Sequence, residues 1–414
     1  MTAVARNTLS QIGARCYSLA LSFAMTVLLA RHLGVGGFGS FVIVLMLVGL
    51  AGIVADLGTQ TVLVRSLAAG DETDVRATAG LRLALAVGSS LLILGLAAVL
   101  YGTQHRVLVG VAIALPAIVL NALTGTAGAL LQARLRLELV AAAEAATQTV
   151  SFGLIALVVA LGGSFGAIVV VVVAVAALHA AVLTMLARRR GSLLPQVDVR
   201  AWSRLLRTAV PVGVSVLVAT VYFRVDALIL AALRGSAAAG VYGIAYRPVE
   251  ALGGFPPLYV ASLFPLLALA VASQDDMRLR SLLTRAARTL AVAAVPVTLL
   301  GIAAAPLVVR ILGGGAYEHA VTPLRLLLVG LPLLALNGLC GAAVVALGRQ
   351  RDALFLNLGM LAFNVVLNFV LVPVYGASGA AGAASVSEVL LLGAQVVLLR
   401  RAVGAPRAAL AGVA

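Results

Sequence analysis

About twelve apolar runs, each long enough to cross a bilayer, are separated by short gaps, and the basic residues fall almost entirely on alternate gaps. All 29 basic residues are Arg. One alternate set of gaps and helix ends holds 21 of them, including Arg134 and Arg136, the triplet Arg188, Arg189 and Arg190, and Arg278, Arg280, Arg285 and Arg288. The opposite set holds five: Arg31, Arg106, Arg234, Arg310 and Arg325. Basic residues flanking spanning segments stay cytoplasmic, so the alternation gives both the number of crossings and their direction. It predicts a multi-pass protein of a bacterial inner membrane with both termini in the cytoplasm.

Composition agrees with this topology. With 63% hydrophobic residues, 10% charged residues and a mean hydropathy of +1.15, the chain lacks the polar surface that a water-soluble domain needs. The net charge of +15 does not make nucleic acid an expected partner, because the Arg sit in single-sided loops and not on one interleaved basic face. They orient the helices and meet anionic headgroups. Cys16 and Cys340 lie inside predicted helices without metal-ligand spacing, and no cofactor or metal site is expected.

The predicted spans are 8–30, 38–60, 77–101, 106–131, 139–161 and 164–187, then 209–231, 239–271, 285–312, 322–347, 353–374 and 380–400. Backbone groups in hydrocarbon must be satisfied internally, which makes these spans helices and the fold all-α. The spans group as an N-terminal six-helix lobe (1–187), a cytoplasmic linker (188–208), a C-terminal six-helix lobe (209–400) and a cytoplasmic tail (401–414). Trp202, among Arg200, Arg204 and Arg207, is expected at headgroup level on an amphipathic linker.

The two halves read as repeats. Residues 71–76 (DETDVR) answer to 275–280 (DDMRLR), and the glycine-rich turn 33–39 (LGVGGFG) answers to 235–243 (GSAAAGVYG). Six crossings per half give both lobes the same orientation. That parallel arrangement is a known transporter construction with its site at the seam, here a central cavity.

No loop exceeds about a dozen residues outside the linker, and nucleotide-binding, metal and nucleophile motifs are absent, so an enzyme is not expected. What remains are ionisable groups at membrane depth. Each costs about 2.5–3.5 kcal/mol at a helix centre, so such groups face a cavity or a partner. Arg15 lies in the first span, Arg224 and Asp226 in the seventh, and Arg247 and Glu250 share a face of the eighth at i,i+3. Asp56 lies in the second, Glu144 in the fifth and Glu388 in the twelfth. A guanidinium is always charged and grips phosphate through two hydrogen bonds. Arg15 and Arg224, each on the first helix of its half, therefore point to an anionic, phosphate-bearing substrate, with Arg247 as a further cation.

Four stretches carry a resemblance that covers nearly the whole chain: 28–39 (LLARHLGVGGFG), 55–65 (ADLGTQTVLVR), 223–247 (FRVDALILAALRGSAAAGVYGIAYR) and 368–388 (NFVLVPVYGASGAAGAASVSE). In their order and spacing the chain resembles the polysaccharide-unit flippases (Wzx-type, polysaccharide transport family) of the MOP exporter superfamily, which also contains the MATE exporters and the lipid II flippases. The resemblance implies two lobes around a cavity that opens alternately to either side, and a polyprenyl-pyrophosphate-linked oligosaccharide as cargo. It implies that Arg15 and Arg224 bind substrate, and Arg247 is a further substrate-binding candidate. A coupling ion, H+ or Na+, would use Asp226, Glu250, Glu144 or Asp56. Membrane lipid is the surrounding partner, and a polysaccharide polymerase or glycosyltransferases are the implied protein partners.

Three other classes compete. A MATE-like multidrug exporter with ion antiport shares the fold but would line its cavity with acidic groups. An oligosaccharide polymerase or ligase would need a large external catalytic loop. A major-facilitator transporter would carry a basic, glycine-containing motif where this chain has 66–76 (SLAAGDETDVR).

Overall fold

The computed structural model describes the backbone of residues 3–70, 74–188 and 194–404, and their side chains apart from 3–16, 137 and 403–404. Among the described residues there is no strand. The helices are α1 (Ala3–Asp56), α2 (Thr59–Ala68), α3 (Val75–Tyr101), α4 (His105–Ala133), α5 (Leu137–Ala160), α6 (Phe165–Arg188), α7 (Val199–Tyr222), α8 (Val225–Gly253), α9 (Pro256–Ala272), α10 (Asp276–Gly313), α11 (Val321–Ala346) and α12 (Gln350–Gly404). A short 3-10 turn, Gly315–Ala320, joins α10 to α11.

Ten helical stretches are long and apolar enough to cross a membrane. Two of them, Tyr17–Asp56 and Gln350–Ala402, are broken within by Gly34 (φ 67°) and Gly376 (φ 56°). Each therefore holds two crossings, which brings the total to about twelve. Only glycine enters this left-handed region without a steric penalty, so these positions set where a helix can stop and restart. In α12 the chain folds back at Gly376: Asn364 Nδ2 donates to Ser387 Oγ at 3.1 Å across the turn. In α8 the equivalent break is Gly235 (φ 81°). The protein is an all-α, multi-pass membrane protein.

The chain divides into two compact units, Met1–Arg224 with Arg234–Gly240, and Val225–Leu233 with Val241–Ala414. In the first, Leu130 and Leu131 of α4 pack against Leu183 and Ala187 of α6. In the second, Leu267 of α9, Leu279 of α10 and Val344 of α11 form one core, and Val260, Leu290 and Leu339 form another.

Of the segment expected to be a surface linker, residues 189–193 lie outside the described residues, and the rest packs against α3. Helix α7 begins at Val199, capped by Asp198, whose Oδ1 accepts the N–H groups of Arg200 and Ala201 at 3.0 Å. Trp202 packs against Ala77, Leu81 and Leu205, and its indole N–H donates to the Ala77 carbonyl at 2.9 Å. Arg204 pairs with Asp74 at 2.9 Å, and Gln196 N–H donates to the Arg76 carbonyl at 3.0 Å. Residues 194–207 thus lie along the start of α3. A buried indole N–H needs an acceptor, and the backbone of α3 supplies one.

Within the first unit, α1 and residues 234–240 approach at backbone distance. A Cβ on Gly39 would lie 1.7 Å from the Ser236 carbonyl oxygen, and one on Gly240 would lie 2.3 Å from the Val35 carbonyl oxygen. No side chain fits at either position. Gly39→Ala and Gly240→Ala should each destabilise the protein by about 1–3 kcal/mol, the usual cost of overpacking. Gly49→Ala, with open space around it, should not. Melting of the three variants in detergent checks this, and equal melting temperatures would refute the close approach.

Candidate functional site

The intramembrane charges are held by specific neighbours, and each arrangement follows from where its helix ends or breaks. Asp56 is the last residue of α1. Its Oδ2 accepts the N–H of Gly58 at 3.2 Å and its Oδ1 that of Gln60 at 3.1 Å, so it caps the start of α2. The Thr59 hydroxyl donates to its carbonyl oxygen at 2.6 Å. Gly58 (φ 80°) makes the sharp turn between the two helices possible.

The same carboxylate lies 2.7 Å from Arg82 on α3, whose side chain is 4% exposed. The contact is an ion pair rather than an aligned hydrogen bond, and Arg82 Nε has no acceptor among the described residues. The guanidinium lies against Gly125 of α4, where a Cβ would sit 2.1 Å from its nitrogen. Arg82 was not among the intramembrane charges singled out in the sequence; the signal that marks it is its position in a run of apolar residues, seven beyond the start of α3.

In the second unit, Asp226 is 3% exposed and accepts the Tyr242 hydroxyl as well as the Ala227 N–H. Sixteen residues of straight helix would hold Asp226 and Tyr242 about 24 Å apart, so this contact closes the reversal at Gly235. Arg247 and Glu250 pair at 3.0 Å and are 31% and 36% exposed, as their i,i+3 spacing predicts.

Glu388 is 8% exposed, and its Oε2 accepts from Asn337 Nδ2 at 2.6 Å. One turn of α12 away from the Asn364–Ser387 bond, Asn368 Nδ2 donates to Asn364 Oδ1 at 3.0 Å. Asn337 and Asn364 went unnoticed in the sequence, and Asn368 entered it only as the first residue of the 368–388 stretch. Buried amides inside apolar helices are the signal that would have found them, since each requires partners.

Arg224 occupies the two-residue turn between α7 and α8 and is half-buried. It does not sit inside a continuous helix, as the sequence suggested. Glu144 is exposed on α5, within electrostatic reach of His179 on α6. The side chain of Arg15 lies outside the described residues. Along the chain, Arg15 precedes its glycine break by 19 residues and Arg224 by 11. The two arginines therefore differ in register by eight residues, or about 12 Å of helix. No group of three or more His, Cys, Asp or Glu among the described residues could hold a metal.

The family described as polysaccharide biosynthesis protein matches residues 28–322. This chain belongs to that family. Among solved structures it is similar to a lipid II flippase MurJ in an inward closed conformation, with a TM-score of 0.75 and 14% identity over 95% of this chain and 87% of that one. It is similar to an inward-facing MATE multidrug transporter of the MOP superfamily at TM-score 0.74 and 15% identity, over 93% and 94% of the two chains. A MOP superfamily transporter from Pyrococcus furiosus, described as having a binding pocket of reverse polarity, matches at 0.57 and 14% identity over 97% and 92%. No curated protein sequence matches. These structures establish the MOP fold for this polysaccharide biosynthesis protein.

The Asp56–Arg82 pair gives a sharp test of its own energetics. Asp56→Ala leaves a buried guanidinium unpaired and should destabilise by roughly 3–5 kcal/mol. Adding Arg82→Leu should recover most of that loss. A double-mutant cycle of detergent melts in which the two losses simply add would show that the charges do not depend on each other.

Proposed function

We infer that this polysaccharide biosynthesis family member is a non-enzymatic flippase. It translocates polyprenyl-pyrophosphate-linked oligosaccharide units across the bacterial inner membrane by alternating access. The observation that carries this reading is the family match over residues 28–322 on a MOP fold, in a chain whose spanning segments keep arginines at depth. Arg224 and Arg247, both half-buried, attract the pyrophosphate head, and Arg15 is assigned the same role by its place on the first helix of its half. The arginine-rich gaps and both termini face the cytoplasm, where the loaded lipid is made. Glycosyltransferases supply that lipid and a polymerase consumes it.

Coupling to H+ or Na+ falls to the acids that can exchange with solvent. Glu250 and Glu144 are accessible in this conformation. Asp56 is committed to the cap of α2 and to Arg82, and Asp226 to Tyr242. Those two would couple only if their helix ends rearrange.

A MATE-like exporter with ion antiport is the second reading, favoured by the nearly equal TM-score to an inward-facing MATE transporter. The two readings part on charge. In vesicles carrying a fluorescent lipid-linked oligosaccharide, Arg224→Gln and Arg247→Gln should each slow translocation about tenfold, the loss of one or two charged hydrogen bonds to phosphate. Absence of translocation by the parent protein under every ion gradient would overturn the flippase assignment. Cationic-drug export that survives Arg224→Glu would establish the exporter instead.

A further inference from the structure

Helix α8 stops at Gly253 and α9 starts at Pro256, so the chain is non-helical for two residues at membrane depth. Pro256 and Pro257 have no N–H to donate back to the preceding turn. A cavity of about 360 Å3 opens at this break, within the second unit, between α8, α9, α10 and α11. Its lining is almost wholly apolar and includes Phe255, Tyr259, Thr289, Ala293, Val297 and Ala335. Phe255, Leu258, Val297 and Leu300 around it are exposed apolar groups, so hydrocarbon surrounds its mouth.

Depth and charge say which molecule fits. Residues 289–309 of α10 carry no ionisable side chain, which is one bilayer thickness of helix. The cavity's share of that stretch, 289–297, rises about 12 Å. It therefore spans the half of the bilayer on the arginine-rich side and stops near the middle, the depth of one acyl chain. One turn above lies Arg285, four residues before Thr289 and so on the same face of α10. Arg288 stands beside it.

Both arginines are exposed, and neither guanidinium has a hydrogen-bond or ion-pair partner among the described residues. Long side chains on a helix point back toward its N-terminus, which here is away from the apolar stretch and toward the headgroups. Tyr259 lines the cavity, and its hydroxyl also has no partner among the described residues.

We propose that this groove binds one anionic glycerophospholipid of the arginine-rich leaflet. One acyl chain fills the cavity, the phosphate rests on Arg285 and Arg288, and an ester carbonyl accepts the Tyr259 hydroxyl. A polyprenyl phosphate would satisfy the arginines and the apolar walls, but it has no ester to offer Tyr259. The site needs no assumption about the transported cargo.

Native mass spectrometry of the full chain, released from bilayers of equal phosphatidylglycerol and phosphatidylcholine, tests it. The parent protein should retain one phosphatidylglycerol, and Ala293→Phe, which fills the cavity, should lose it. Arg285→Gln with Arg288→Gln should cut the preference for phosphatidylglycerol over phosphatidylcholine by about fivefold per arginine. Arg278→Gln with Arg280→Gln should leave it unchanged. The arginine variants alter exposed side chains only, so they decide the matter even where Ala293→Phe does not fold. Retention unchanged by Ala293→Phe, or a preference unchanged by the Arg285 and Arg288 pair, overturns the proposal. So does displacement of phosphatidylglycerol by an equal amount of polyprenyl phosphate.

Discussion

Hydrocarbon offers no hydrogen-bond partner, so each place where a helix stops inside the membrane must satisfy its own backbone or border a cavity. The interruptions in this chain are chemically distinct. Gly34, Gly235 and Gly376 turn the chain between crossings through a left-handed residue. At Gly58 the following N–H groups are taken up by the Asp56 carboxylate. Gly253 to Pro256 is different, because proline removes the donors and an apolar cavity fills the gap. The architecture of both units follows from where these interruptions fall.

Charges at depth obey the same economy. Arg82 is tolerable because Asp56 stands 2.7 Å away, and Asp56 is positioned because it caps α2. The cap, the turn and the ion pair are thus one device, and removing any part exposes the cost of the others. Glu388 accepts from the Asn337 amide, and Asp226 from the Tyr242 hydroxyl, so buried carboxylates in the second unit are also met by neutral donors.

Much of the architecture was legible in the sequence, because hydropathy and arginine asymmetry are long-range signals that survive small errors. The helix count and the turns at Gly34 and Gly235 follow from them, as does the Arg247–Glu250 pair, whose spacing is local. What was not legible needed tertiary contacts. Nothing around Trp202 in the sequence shows that its indole N–H would find the Ala77 carbonyl. Nothing in the helix of Arg82 shows that Asp56 lies opposite. The start of α7 at Val199 was hidden by its many arginines, which read as a surface segment although Asp198 caps a continuous helix. The site residues proper are the least legible, since a charge in an apolar helix tells its cost but not the direction it faces.

The repeat sharpens that last point. Gly34 and Gly235, and Gly39 and Gly240, share one offset of 201 residues, so the two hairpins can be compared position by position. Asp226 corresponds to Met25, Tyr242 to Phe41 and Arg224 to Phe23. The backbone device is duplicated, but the polar groups are present only in the second copy. A feature required for folding the hairpin would be expected in both copies, whereas Met25 and Phe41 occupy the same register without any hydrogen bond between them. The Asp226–Tyr242 bond and the adjacent Arg224 are therefore additions to a turn that stands without them.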